Sequence, residues 1–147
     1  MRSLKKRVSK QSIIVDTNIL VSSILGKSYP HRIVYDLILT EKVHHLISDE
    51  IFREFEDTLS HKKFEKIQSF KDEALDLLSE IKTISIVKNP TFKLAVLQDI
   101  DDNKFLELAL LCRADFLITG NSRHFTYGLF ESTEIISPEK YWNTYWK

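Results

Sequence analysis

The stretch Ser-Ile-Ile-Val-Asp at residues 12–16 is a short apolar run that ends directly at an acid. Unbroken runs of β-branched residues are typical of strands that are buried on both faces of a parallel sheet. Asp16 would then lie at the carboxyl end of such a strand. Because an acid beside a buried strand needs a compensating partner, Asp16 is the first candidate for a functional residue.

The rest of the chain alternates between strand patterns and helix patterns. Strands are predicted at residues 43–47, 84–87, 115–119 and 134–136, and helical spacing of apolar residues covers 31–40 and 70–81. Further helices are predicted to begin at Ser48, Asp102 and Ser137, the first with a capping box formed by Ser48 and Glu50. This alternation predicts an α/β fold with three layers, in which helices flank a central, mostly parallel sheet of about four or five strands.

The composition favours one ordered domain behind a basic arm. We expect the arm over residues 1–11 and a single domain over 12–147, because no repeat or linker interrupts the pattern. Lys plus Arg and Asp plus Glu both total 21, so the whole-chain charge gives no argument for nucleic-acid binding. Cys112 is the only cysteine, and the apolar run after the basic arm is too short to span a membrane. We therefore expect a cytoplasmic protein without a membrane partner.

Several polar residues are predicted to meet at one edge of the sheet. Asp16 follows the first strand, Asn121 follows the fourth, Glu54 lies one turn into the helix after the second, and Asp102 begins the helix before the fourth. Ligands of open parallel sheets bind beyond the carboxyl ends of the strands. Carboxylates gathered there stay ionised only beside a cation, and oxygen ligands select Mg²⁺ or Mn²⁺. Such a metal can activate a water and stabilise charge on a phosphodiester, which makes phosphodiester hydrolysis the leading chemistry.

Four segments together resemble, in order, the successive motifs of the PIN domain family. They are IIVDTNIL (13–20), SDEIFREFEDTL (48–59), DIDDNKFLELAL (99–110) and ADFLITGN (114–121). The resemblance covers most of the chain and is closest to the VapC-like toxin ribonucleases of toxin–antitoxin systems. It implies a PIN-like fold, Mg²⁺- or Mn²⁺-dependent endoribonuclease activity and an RNA substrate. An antitoxin protein is the implied partner, and homodimers are common in the family.

The resemblance also implies roles for individual residues. Carried over position by position, it makes Asp16, Glu54 and Asp102 the catalytic metal ligands. Thr17 or Asn18 would orient the first carboxylate. The auxiliary residues would be Thr17, Asn18, Asp99, Asp101 and Thr119.

Asn121 departs from the family pattern, which usually has aspartate after the Thr-Gly pair. The asparagine keeps a carbonyl oxygen but lacks the charge, so it is expected to be a weaker fourth metal ligand and to reduce activity. Arg123 and His124, just beyond it, are the candidates for contacts with RNA phosphates.

Alternative interpretations of the same residues belong to other classes. Because of Asn121, the chain could be a catalytically weakened PIN domain that binds RNA or protein without cleavage. Taken alone, Asp102 is more typical of an acid at a helix N-terminus, and Glu54 of a solvated helix position. An acidic-pocket phosphatase or a response-regulator receiver fits poorly, because Asn18 stands where the phosphatase needs a second Asp and residues 119–121 provide no lysine.

Overall fold

A central sheet organises the part of the chain that the computed structural model describes, residues 9–97, 99–120 and 124–147. The strands found in these residues are β1 (Ser12–Val15), β2 (His44–Ile47), β3 (Ile86–Val87), β4 (Phe116–Ile118), β5 (Gly128–Phe130) and β6 (Thr133–Ile136). Their order is β3-β2-β1-β4-β6-β5, and every neighbouring pair is parallel except β5 with β6. The predicted α/β fold with a mostly parallel central sheet is confirmed.

Helices flank this sheet. They are α1 (Thr17–Leu25), α2 (Tyr29–His31), which continues as a π-helix (Arg32–Ile38), α3 (Asp49–Leu59), α4 (Phe70–Ile84), α5 (Asn103–Cys112) and α6 (Pro138–Tyr145), with short 3₁₀ turns at Lys62–Phe64 and Ile100–Asp102. Helix α1 packs against α2, α3 and α4, and α3 also packs against α4 and α5. Within the described ranges, no helix combines the length and the apolar character that a membrane crossing requires.

Two elements of the structure, α1 and β5, were not predicted from the sequence. Helix α1 follows Asp16 directly, but its residues include no charged side chain that would mark an exposed face in the sequence. Strand β5 is short and mostly exposed, and it forms by antiparallel pairing with β6. It therefore gives no burial pattern that a sequence-based prediction could use, and it raises the number of strands in the described residues to six.

The start of α3 differs from the predicted capping box. The Ser48 hydroxyl accepts a hydrogen bond from the Ile51 N–H at 3.1 Å, as expected of an N-cap serine. Glu50 does not complete the box, because it is the second residue of the helix and not the third. Its carboxylate instead lies 3.1 Å from the ammonium of Lys93.

The two central strands are buried on both faces, as the run at residues 12–16 predicts. The side chains of Ile13, Ile14 and Val15 in β1 are 0% exposed, and so are all three residues of β4. Pairing aligns Ile13 with Phe116 and Val15 with Ile118. Helix α6 covers this region through Tyr141, whose ring lies 4.9 Å from that of Phe116.

The order of the strands determines where a ligand-binding crevice can form at the edge of the sheet. From β1 the chain builds β2 and β3 on one side, and it then crosses to build β4 and β6 on the other. The carboxyl ends of β1 and β4 are therefore neighbours, and the Asp16 N–H donates to the Ile118 carbonyl at 3.1 Å. In open α/β sheets this switch in strand order opens the crevice in which ligands bind.

His45 in β2 gives the fold a measurable pH dependence. It is 1% exposed, and burial lowers its pKa from 6.5 to about 3. The unfolded chain therefore binds the proton more tightly, so the stability from neutral His45 is present above pH 6.5 and is lost as the pH falls toward 3.

We expect His45→Gln to flatten the fall in unfolding free energy below pH 6.5, which amounts to at most about 1.4 kcal/mol per pH unit. Urea unfolding of the metal-free protein between pH 4.5 and 7 measures it. His44→Gln, at the exposed preceding position, should keep the wild-type slope. Equal slopes for all three proteins would contradict the assignment.

Candidate functional site

Asp16 lies where β1 ends and α1 begins, and its carboxylate is held by a backbone N–H of α1 and by the residue that follows β4. One oxygen, Oδ1, accepts the Ile19 N–H at 3.1 Å and thereby caps α1. The other oxygen, Oδ2, accepts the hydroxyl hydrogen of Thr119, a fully buried residue that follows β4. Thr119, which the resemblance makes an auxiliary residue, therefore lies against the Asp16 carboxylate.

Burial dominates the electrostatics of Asp16. The side chain is 5% exposed, and this desolvation raises its pKa from 3.8 to about 6. The hydrogen bonds from Thr119 and from backbone N–H groups lower the pKa, whereas the nearby charge of Asp102 raises it. The ionised carboxylate is thus short of positive charge, and a cation beside it would stabilise it.

Glu54 projects from α3 toward the same edge and is held at both oxygens. The Thr17 hydroxyl donates to Oε2, and the Lys104 ammonium lies 2.6 Å from Oε1. Thr17 was expected to orient Asp16, but as the first residue of α1 it faces α3, against which α1 packs. Asn18 is exposed and contributes to Asp16 only through its backbone N–H.

The turn at residues 99–102 supplies the remaining acids. Asp99 caps the 3₁₀ turn by accepting the Asp101 N–H at 3.0 Å. Asp102 makes no side-chain capping bond to α5, and its Oδ2 lies 2.8 Å from Nδ1 of His124. The helix-cap interpretation therefore applies to Asp99, and the carboxylate of Asp102 is available to the site.

The charges of Asp16, Glu54 and Asp102 influence the pKa values at this edge of the sheet. Burial raises the pKa of Asp102 most, Asp99 and Glu54 raise it further, and His124 and Lys104 lower it. Within the described ranges, only one set of three or more possible metal-binding residues has ligand atoms that all lie within 4.8 Å of one another. It consists of Asp99, Asp102 and His124. Asp16 and Glu54 do not belong to this group. The charge of Asp102 raises the pKa of Asp16, the charge of Glu54 raises that of Asp102, and Asp16 and Glu54 are each held by their own partners.

The other predicted residues have mixed outcomes. The Asp101 side chain is exposed, and the residue takes part through its backbone carbonyl, which accepts a hydrogen bond from Lys104 at 2.7 Å. The contact of His124 with RNA phosphates stays a prediction; its Nδ1 lies 2.8 Å from Oδ2 of Asp102, and its side chain is 42% exposed. Asn121 and Arg123 lie outside the described residues.

Two residues at the site were missed by the sequence analysis. Lys104 lies inside the third motif, and its two-residue distance from Asp102 was the available signal. Tyr127 donates its hydroxyl hydrogen to the Thr119 carbonyl at 3.0 Å, and the charge of Asp16 contributes to raising its pKa. Tyr127 is 42% exposed, and no local pattern distinguishes this loop aromatic from any other.

The donor set fits a divalent cation. Carboxylate oxygens are the ligands that Mg²⁺ and Mn²⁺ prefer, and an imidazole nitrogen is compatible with Mn²⁺. Asp99, Asp102 and His124 present such atoms close together, and burial, with a smaller contribution from the charge of Asp102, makes the ionised form of Asp16 costly without a cation. A cation at this edge would therefore be stabilised by several groups at once.

An α/β sheet with an acidic, metal-compatible site at the switch between β1 and β4 defines the structural class. Within this class, residues 12–123 match the family model of the PIN domain, so the chain belongs to the PIN domain family. It is also similar to the uncharacterized protein MJ1680 of Methanocaldococcus jannaschii, with 29% identity over 112 residues that cover 76% of this chain and 72% of that protein. PIN domains are generally metal-dependent nucleases, and the acidic group agrees with a nuclease-type function.

Asp16 predicts a pH effect of opposite sign to that of His45. Because its folded-state pKa is above 3.8, the folded protein binds the proton more tightly, and stability falls as the pH rises from about 4 to about 6. In the metal-free protein, Asp16→Asn should raise the unfolding free energy at pH 7 by up to about 3 kcal/mol, with little gain near pH 4.

Urea unfolding in EDTA at both pH values measures this gain. Because wild type and Asp16→Asn both contain His45, the difference between their unfolding free energies reports on Asp16 alone. Asp57→Asn, which changes an exposed acid on α3, is the control and should leave the stability close to wild type. A gain from Asp16→Asn that is the same at pH 4 and pH 7 would refute the raised pKa.

Proposed function

We propose that this protein is an endoribonuclease that depends on Mg²⁺ or Mn²⁺, with Asp16, Glu54 and Asp102 as its catalytic metal ligands. The proposal is supported by the electrostatic coupling of these acids in a PIN-family chain, because the charge of Asp102 raises the pKa of Asp16 and the charge of Glu54 raises that of Asp102. Asp99 and His124 adjoin Asp102 and are proposed to assist it.

The chain's own groups prepare the acids for this role. Thr119 and the Ile19 N–H fix the Asp16 carboxylate, while Thr17 and Lys104 fix Glu54. When bound, a divalent ion supplies positive charge that acidifies a water and stabilises the phosphodiester as negative charge develops. The preorganised carboxylates reduce the rearrangement that binding the ion requires.

RNA is the proposed substrate on the basis of the family resemblance, and an exposed aromatic side chain supports it. Tyr127 is 42% exposed, and its hydroxyl is anchored to Thr119 beside Asp16. A base can stack on such a ring while the adjacent phosphate reaches the acids. Arg123 and His124 remain candidates for phosphate contacts.

Asn121 supports a second candidate function, a PIN domain that binds RNA or a protein without cleaving it. The amide would supply a neutral oxygen where the family usually has a carboxylate, which weakens the hold on metal most directly. We propose the catalytic function first, because the remaining acids are present and held at the site.

The wider biological role rests on the sequence resemblance. We propose a toxin component of a toxin–antitoxin system, with an antitoxin protein as partner and a homodimer as the assembly. The proposed organisation is a basic arm over residues 1–11 and one domain over 12–147. A cytoplasmic location agrees with Cys112 as the only cysteine.

Cleavage of single-stranded RNA in the presence of Mn²⁺ tests the catalytic assignment. Glu54→Gln and Asp16→Asn should each lower the cleavage rate by about 100-fold or more, because each removes a charge at the reacting site. Glu56→Gln is the matched control, since Glu56 is exposed on the same helix two residues away. Wild-type rates in all three variants would attribute the cleavage to a contaminant.

The contribution of Asn121 is tested by restoring the family carboxylate. Asn121→Asp should bind Mn²⁺ at least about tenfold more tightly and cleave faster at limiting Mn²⁺, because a unit charge near the ion strengthens its binding. Asn143→Asp adds the same charge at an exposed position on α6 and should change neither quantity. If wild type binds no Mn²⁺ and cuts no RNA while Asn121→Asp does both, the non-catalytic function is correct.

A further inference from the structure

Lys104 holds its ammonium inside the acidic edge of the sheet. The residue is 8% exposed, although lysine is almost never buried unless it is paired. Its Nζ lies 2.6 Å from Oε1 of Glu54 and 2.7 Å from the carbonyl oxygen of Asp101. The ring centroid of Phe105 lies 5.7 Å from the same nitrogen. The ammonium therefore has oxygen atoms and an aromatic ring around it.

The two oxygen atoms are the kind that a hard metal ion takes. One belongs to a carboxylate of α3 and the other to a backbone carbonyl of the 99–102 turn, and both types coordinate Mg²⁺, Mn²⁺ and Ca²⁺ in proteins. The charge of Lys104 also acts on Asp102, since it lowers the pKa of that carboxyl. One cation thus links Glu54 to the turn that carries Asp99 and Asp102.

Stability alone is a poor reason for such a pair. Bringing an ammonium out of water costs several kcal/mol, and apolar side chains of similar size often replace buried ion pairs without loss. Glu54 is 29% exposed, so it could be solvated without Lys104. The ammonium places a positive charge between α3 and the 99–102 turn, both of which supply acids. An apolar residue would not reproduce this charge.

We infer that the Lys104 ammonium is a built-in cation that occupies the place of a second metal ion, so that the site binds a single divalent ion through Asp16, Asp102 and the lone pairs of Glu54 that Thr17 and Lys104 leave free. The inference rests on the proposed metal-dependent function. Lys104 is a positioning residue, because it acts through Glu54, whose other oxygen is held by Thr17. Removing the ammonium would leave the Glu54 carboxylate and the Asp101 carbonyl open to a second ion.

Counting bound Mn²⁺ on the full-length chain tests this inference, with the metal alone as the probe. Calorimetric titration, together with electron paramagnetic resonance of free Mn²⁺, should give one ion per chain for wild type and two for Lys104→Met. Lys104→Gln, which keeps a polar side chain without the charge, should also bind two. Lys104→Arg keeps the charge and should bind one.

The origin of the extra ion is checked with a double variant. Glu54→Gln combined with Lys104→Met should lose the additional Mn²⁺, because its carboxylate ligand is gone. Circular dichroism and thermal melts establish that each variant is folded, and the glutamine variant replaces the methionine variant if the latter is not. A role confined to folding would change the melting temperature without changing the number of ions.

Failure of this inference differs from failure of the nuclease proposal. If wild type binds one ion and cleaves RNA while Lys104→Met and Lys104→Gln also bind one ion with wild-type affinity, only the inference is overturned. Two ions on wild type would overturn it as well. A wild-type chain that binds no Mn²⁺ and leaves RNA intact would overturn both.

Discussion

The parallel pairing of β1 with β4 fixes the position of the Asp16 carboxylate, on which the site depends. The Asp16 N–H bonds to the Ile118 carbonyl, and the Thr119 hydroxyl then meets Oδ2 of the same residue. Both strands are buried on both faces, so a shift of one residue in their register would turn every apolar side chain the wrong way. The packing of the core therefore sets the geometry of an acid that is itself expensive to bury.

The partners of the three acids lower the free-energy cost of burying their charges. Asp16 is held by hydrogen bonds, Glu54 by Lys104, and Asp102 by His124. Each partner comes from a different part of the chain. The pKa of Asp16 and that of Asp102 stay raised, because burial outweighs the stabilisation that their partners give to the charged forms. The result is an edge that is folded and ordered yet still attractive to a cation.

Structural and proposed functional roles coincide in these acids. Asp16 caps α1 with one oxygen and meets Thr119 with the other. In the 99–102 turn the roles are divided, since Asp99 caps the turn and Asp102 makes no capping bond. An acid at a helix start is thus no evidence against a ligand role when its second oxygen, or a neighbouring acid, remains available.

The sequence by itself determined the fold class and predicted the location of the site. The apolar run before Asp16, the helical spacing after Ser48 and the order of the four motifs are local patterns, and local patterns record burial and secondary structure directly. They were enough to predict a parallel sheet with Asp16, Glu54 and Asp102 at one edge. They could not reveal β5, which forms only by pairing with β6.

Only the tertiary structure decided which side chains are partners. Thr17 binds Glu54, 37 residues away, rather than the adjacent Asp16, and Thr119 reaches Asp16 across 103 residues. In the sequence, Lys104 cannot be distinguished from other charged helix residues, and only the structure shows that its ammonium is buried. Such pairs depend on how helices and strands distant in the chain pack together, and the spacing of residues within one element carries no record of that packing.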